Sequence, residues 1–388
     1  MLPYPVTLGA FVLIFWCVDI TSPALPDLQR SLALSGTSTG LIASAFFSGR
    51  LLTNLPAALL VDRVGARRCA MAGGLTLVAG SMLAAIAGDI APLLVARGIQ
   101  GIGIALVVTA SLLSLLRARP GEGAALTAFN VAAGVGSGFG LATGGFLTGE
   151  FGWRAIFWLS AMLGAALLIG AITSRPAHAK AATISKMPLE PDAPVPARTG
   201  WWTMALPLFL NLLVYANYSI FLVSLPLYAA DRFSAPAGTI GTLLLLTNLV
   251  HLGAAIPLGR GIRRFGASRT VGPSLAIAAV GMFAVLVAPA SGWLIVPLSI
   301  YAVGQIGGNS AAGDMVLRAG GQGGRAVGML RLSGDVGLVA GPAAVGVLAD
   351  LAGAAAPFIA LSMLTLLAAA LSWRHGGDQR AWTRRMPA

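Results

Sequence analysis

Apolar runs of about 20 residues recur from one end of the chain to the other, and each is long enough to cross a hydrocarbon core of about 30 Å as a helix. The runs are continuously apolar. They lack the period-2 alternation over about ten residues that marks a barrel strand, so helices are the predicted way to satisfy backbone groups in lipid. The pattern predicts an all-α membrane protein of about twelve spans, near residues 6–26, 38–60, 70–88, 91–116, 124–148, 153–173, 201–229, 238–259, 270–289, 292–315, 325–349 and 354–373. The first run has no basic segment before it and flows into Pro23 and Pro26, so it reads as a span rather than a cleaved signal peptide.

Composition agrees: 57% of residues are hydrophobic and 10% charged, against about 25% charged in an ordinary soluble domain. A water-soluble fold is excluded. The net charge of +12 raises the question of nucleic acid, and the placement of the charges answers it. On the predicted topology one side receives Arg63, Arg67, Arg68, Arg117, Arg119, Arg175, Lys180, Lys186, Arg198, Arg260, Arg263, Arg264, Arg269, Arg318, Arg325, Arg374, Arg380, Arg384 and Arg385. The other receives Arg30, Arg154 and Arg232. This is the positive-inside pattern of a multi-pass protein of the cell inner (plasma) membrane, with both termini and the central loop cytoplasmic and no nucleic-acid partner. Cys17 and Cys69 show no paired spacing, so neither a disulfide nor a metal site is expected.

Residues 174–200 break the pattern with Pro176, Pro188, Pro191, Pro194 and Pro196 among charged residues, as suits a flexible linker. The expected organisation is a six-helix bundle over 1–173, a cytoplasmic linker over 174–200, a second six-helix bundle over 201–374 and a cytoplasmic tail over 375–388. The halves echo each other at one offset. Asp62-Arg63-Val64-Gly65 corresponds to Arg263-Arg264-Phe265-Gly266, Ala58 to Gly259, Gly136 to Gly337 and Gly140 to Gly341, and 266 − 65 and 341 − 140 both equal 201. An internal duplication of the kind found in transporters explains this.

A charge at mid-bilayer costs about 2.5–3.5 kcal/mol on insertion scales, so each one is expected to face a partner or a cavity. Asp19, Arg50, Arg97, His251, Arg331 and Asp335 fall within spans. Arg50 and His251 are equivalent by the offset, 251 − 50 = 201, which suggests a shared orientation. His251 can relay protons or sit neutral in an interhelical hydrogen bond. Arg331 and Asp335 share a helix face and can pair with each other. Two stripes of uncharged polar residues also follow helical faces: Asn211, Tyr215 and Tyr218, and Tyr301, Gln305 and Asn309. The histidines, His178, His251 and His375, are scattered over linker, membrane and tail, and no Walker-type phosphate loop is present, so neither an intramembrane hydrolase nor an ATP-driven pump is expected.

The segment Asp62-Arg63-Val64-Gly65-Ala66-Arg67-Arg68 resembles the signature loop of the major facilitator superfamily, with Ala58 where the family has its leading Gly. Arg97-Gly98-Ile99-Gln100-Gly101 resembles the family's fourth-helix motif. Asp19-Ile20-Thr21-Ser22-Pro23-Ala24-Leu25-Pro26 and Trp153-Arg154-Ala155-Ile156-Phe157 are similar to the first and sixth helices of its drug:proton antiporters. Gly136, Gly140, Gly144 and Gly145 resemble the antiporter motif, with Leu141 in place of its Pro, while a Gly-Pro pair stands in the other half as Gly341-Pro342. Close helix packing accounts for such glycines equally well.

The resemblance implies the two-bundle major facilitator fold over essentially the whole chain, and secondary transport by alternating access without a cofactor. Asp62, Arg63, Gly65, Arg67 and Arg68 would form a conformational-switch loop. Asp19 and Arg97, at compatible depth on cavity-lining helices, would pair and carry the proton, with His251 and Asp335 as further coupling candidates. Arg50 and the two polar stripes would line the solute cavity. The implied function is proton-coupled efflux of drugs or small amphipathic metabolites by a chain expected to act as a monomer. An importer of a sugar or organic acid is the alternative, and a non-transporting membrane sensor the alternative from another class.

Overall fold

The computed structural model describes residues 4–118, 122–174, 201–320 and 324–383. The predicted linker beyond Ser174 and the tail beyond Thr383 lie outside the described residues. Among those residues there is no strand, and the helices fall into twelve membrane-length units. They are α1 (Tyr4–Ser31), α2 (Gly36–Val64), α3 (Ala66–Ile86), α4 (Ile90–Ala118), α5 (Glu122–Phe151) and α6 (Arg154–Thr173). The second six are α7 (Trp201–Ser219, continuing through Ile220–Ser224 into Leu225–Phe233), α8 (Ala237–Phe265), α9 (Ala267–Val287), α10 (Ile295–Gly320), α11 (Gly324–Ala352) and α12 (Ala356–Thr383).

Ten of these are long and apolar enough to cross a membrane as they stand, and α2 is an eleventh, bent near Pro56. A proline inside a helix removes one backbone bond and pushes away the carbonyl four residues back, which is enough to bend it. The twelfth, α10, carries Gln305 and Asn309 along its length and is correspondingly more polar. Large apolar side chains such as Leu75, Val95, Met162, Val280, Phe283 and Met363 are exposed on the outside, a surface suited to lipid and not to water. The chain is a multi-pass membrane protein.

The internal repeat is visible in the backbone. Gly65 turns α2 into α3 at φ +90° and Gly266 turns α8 into α9 at φ +86°; Gly152 and Gly353 do the same before α6 and α12, at +79° and +86°. Both pairs are 201 apart, as are Pro56 and Pro257 inside α2 and α8. Side chains rarely adopt such positive φ, so glycine stands at these turns for a steric reason.

The first helix of each half is also broken, near its middle. In α1 a 3-10 turn at Ser22–Ala24 is led by Pro23, and in α7 a π turn at Ile220–Ser224 precedes Pro226. Pro226 has no N–H to offer the Leu222 carbonyl four residues back. The Ser22 hydroxyl donates to that carbonyl instead, at 2.7 Å, so the two broken helices meet at their breaks.

The bundles meet on the side away from the chain ends, here the distal side. One core there contains Ile20, Leu28 and Phe46 from the first half together with Phe221, Tyr228 and Leu244 from the second. On the proximal side, which carries the chain ends, each half closes on its own. Leu213, Val271 and Met315 belong to a core of the second half alone. Val61 and Cys69, and separately Phe11 and Leu115, belong to cores of the first half alone. Among the described residues the two halves are therefore joined distally and share no core proximally. Direct helix contact between them runs mainly along two seams, α2 with α11 and α5 with α8, with smaller contacts where the distal part of α1 meets α7 and α8.

Candidate functional site

Asp19 ends the regular part of α1 and is 2% exposed. Its carboxylate accepts a close hydrogen bond from the Ser137 hydroxyl of α5 and a longer one, 3.5 Å, from the Tyr218 hydroxyl of α7. Serine can approach because α5 lies unusually near α1: a Cβ at Gly136, Gly140 or Gly144 would run into the carbonyls of Val12, Trp16 and Ile20. Trp16 adds a bond from its indole N–H to the Thr143 hydroxyl, 2.8 Å, and stacks on Phe139.

A second polar group lies one turn along α7. Asp335 of α11 is ion-paired with Arg50 of α2 and also accepts from the Asn54 amide at 2.6 Å. Tyr215, on α7 three residues before Tyr218, packs its ring against Gly334, next to Asp335 on α11. Tyr215 and Tyr218 thus link the two groups into one polar belt through the middle of the molecule. The guanidinium of Arg50 is bound to Asp335.

The expected pairing of Asp19 with Arg97 does not form. Arg97 is buried and donates to the Gln100 side chain at 2.7 Å and the Ile42 carbonyl at 3.4 Å, with its guanidinium 4.5 Å above the Phe46 ring. Its neighbour on α1 is Cys17, and Cys17 and Asp19 lie about 200° apart around the helix, so they look toward different partners. Arg97 instead borders a small cavity of about 20 Å³ with Thr21, Ser22, Phe47 and Leu222, beside the contact of the two breaks.

The expected pairing of Arg331 with Asp335 is also replaced. Arg331 is exposed, and Asp335 turns to α2 of the other bundle. The polar stripes divide. Asn211 donates to the Leu330 carbonyl and the Ser333 hydroxyl, Tyr301 to the Asn217 carbonyl and Gln305 to the Val214 carbonyl, so the bonds these three donate stay within the second bundle. Tyr215, Tyr218 and Asn309 remain half-buried on the belt. His251 sits half-buried on α8, equivalent to Arg50, against the other seam.

Around the turn at Gly65, Asp62 and Arg63 at the end of α2 and Arg68 at the start of α3 are exposed. Arg67 bonds the carbonyls of Ala171 and Ile172, satisfying the C-terminal end of α6 within its own bundle. Trp153 and Arg154 open α6, with Arg154 bonded to the Ala87 carbonyl and its guanidinium 4.1 Å from the Trp153 ring. Ser137 and Asn54 were not legible as site residues. Asn54 had a signal, lying four residues after Arg50 on one face; Ser137 had none, because its partner is 118 residues away.

These features define a class: a two-bundle, twelve-helix membrane protein with a central polar belt. The Major Facilitator Superfamily model matches residues 7–207 and 207–385, and the chain belongs to that family. It is 34% identical over 164 residues to the multidrug resistance protein Stp of Mycobacterium tuberculosis (strain CDC 1551 / Oshkosh), a match covering 42% of this chain and 30% of that protein. It is 32% identical over 171 residues to the puromycin resistance protein pur8 of Streptomyces alboniger, covering 42% and 33% respectively. The matched stretch therefore spans about a third of the length of these relatives. The fold is that of the nucleoside transporter NupG, with a TM-score of 0.75 at 12% identity over 95% of this chain and 98% of that one.

Proposed function

We infer that this chain is a secondary transporter of the cell inner membrane that exports drugs or small amphipathic metabolites in exchange for protons. One observation carries the reading. Asp19 and Asp335 both lie on the belt, Arg50 is bonded to Asp335, and among the described residues the side-chain hydrogen bonds to Asp19 come from the neutral hydroxyls of Ser137 and Tyr218. An ionised carboxylate in such a place is costly, so Asp19 calls for a proton or for a positively charged part of a solute, and these compete for one position.

The shape supports alternating access. The halves share a core distally and none proximally among the described residues, and with the loop arginines favouring a cytoplasmic proximal side this arrangement fits an inward-open conformation. The names of Stp and pur8, resistance proteins both, favour export of drug-like solutes. Inverted membrane vesicles energised with a proton gradient are expected to accumulate ethidium, a fluorescent amphipathic cation, when the protein is present. Gradient-dependent ethidium uptake into intact cells, with none into inverted vesicles, would reverse the direction.

Asp62 lies twelve residues beyond Arg50 on α2, about 18 Å along the axis, too far to touch a solute on the belt. Its proposed role is to bias the exchange between conformations. Asp62→Asn is expected to slow turnover several-fold with ethidium affinity unchanged; normal turnover would remove that role.

A further inference from the structure

The two seams between the bundles are equivalent under the offset of 201, so each contact in one has a counterpart position in the other. In both, a helix carbonyl crosses closely over a glycine: Pro342 over Gly40 in the α2–α11 seam and Leu141 over Gly241 in the α5–α8 seam, with 241 − 40 = 342 − 141 = 201. Beyond that crossing the seams differ.

Asp350, near the distal end of α11, caps α2 from the opposite bundle. One carboxylate oxygen accepts from the Gly36 amide at 2.6 Å, and the other from the Thr37 amide at 2.8 Å and the Thr37 hydroxyl at 2.6 Å. The first amides of a helix have no partner of their own, so this carboxylate answers a real deficit and complements the helix dipole. Midway down the seam the Ser44 hydroxyl donates to the Val339 carbonyl at 2.7 Å, and fifteen residues from Asp350 stands Asp335, held by Arg50 and Asn54. The α11 helix thus grips α2 by a carboxylate at the distal surface and another about 22 Å deeper.

The α5–α8 seam has neither grip. The counterpart of Asp350 is Gly149, which has nothing within 4 Å of where a Cβ would be, and 350 − 149 = 201. The counterpart of Asp335 is Gly134, and of Arg50 is His251; 335 − 134 and 251 − 50 are again 201. In place of an ion pair, Leu252 packs on Gly134 and the Asn248 amide donates to the Gly134 carbonyl at 3.0 Å.

We propose that Asp350 and Asp335 act together as a two-point latch on α2 that holds the distal side shut, while the α5–α8 seam, which shows no charged tie among the described residues, slides on glycine. The proposal rests on the alternating-access reading, in which the distal side has to open. Opening parts α2 from α11 first at the surface, where the Asp350 cap is exchanged for water, and then at depth, where Asp335 must leave Arg50. Both residues are positioning residues, acting on the solute only through the seam.

The test is a distance measurement between spin labels on Ser31→Cys and Leu351→Cys, both exposed and distal, in full-length protein carrying Cys17→Ala and Cys69→Ala. Without ethidium, Asp350→Ala and Asp335→Asn are each expected to raise the long-distance population by about threefold or more, as a shifted two-state equilibrium requires. The exchanged pair Arg50→Asp with Asp335→Arg is expected to restore the short distance, which a general loss of packing would not. Asp350 is at the solvent-facing end, so its variant reads the latch even where Asp335→Asn folds poorly. Unchanged distributions in both single variants, with the wild type populating the long distance when ethidium and a low pH are applied, would overturn the latch. A wild type confined to the short distance in every condition would overturn the alternating-access reading itself.

Discussion

Asp19→Asn is expected to abolish gradient-driven accumulation of ethidium in proteoliposomes while ethidium exchange without a gradient persists. The amide is nearly the size of the carboxylate and keeps an acceptor for the Ser137 hydroxyl, so the α1–α5 contact survives. What it loses is the ability to bind and release a proton. The substituted chain resembles the permanently protonated form, free to change conformation but unable to return a proton to either side. Driven transport should fall at least about tenfold, which corresponds to some 1.4 kcal/mol of lost coupling and is a lower bound if Asp19 is the sole carrier. Undiminished driven transport by Asp19→Asn would move the proton elsewhere, with Asp335 and then His251 the residues to test.

Gly144→Val is expected to be strongly damaging. A Cβ there meets the backbone carbonyl of Ile20, which cannot swing aside as a side-chain tip could, so α1 and α5 must part. Overpacking of this kind costs about 1–3 kcal/mol, and here it also shifts the segment between Asp19 and the break at Ser22. Both the melting temperature and transport should drop. Gly149→Ala, five residues on, has open space around it and serves as the control, expected to melt as the wild type does. Equal stability of the two variants would show that α5 does not depend on that close approach.

The fold was largely legible because lipid imposes one-dimensional rules. Continuous apolar runs mark the spans, loop arginines order them, and the offset of 201 announces two halves before any contact is known. The structure extends that offset to Gly152 and Gly353 and to the prolines of α2 and α8. The helical continuation of α12 to Thr383, ten residues past the predicted end at Trp373, was not legible, since the apolar run stops first.

The site was less legible because depth along a helix can be read from sequence and azimuth between helices cannot. Asp19 and Arg97 share a depth, yet the face of α1 that meets Arg97 is the Cys17 face. Asp335 has a cation one turn away on its own helix and takes Arg50 from another, because the bundles meet there. The stripe of Tyr301 and Gln305 is periodic as a cavity lining would be, but interhelical packing has the same period, and their bonds go to α7. Asp350 carried a signal in its spacing from Asp335 along α11; its partner is the start of a helix more than 300 residues earlier.

The central claim is that solute and proton compete at Asp19. Purified protein in lightly buffered solution, mixed with saturating ethidium, reads this directly through a pH-sensitive dye. The account predicts release of protons in proportion to the ethidium bound by the wild type, and binding without release by Asp19→Asn. Proton release by Asp19→Asn equal to that of the wild type, or ethidium binding by the wild type with no release near the midpoint of its transport activity, would contradict it.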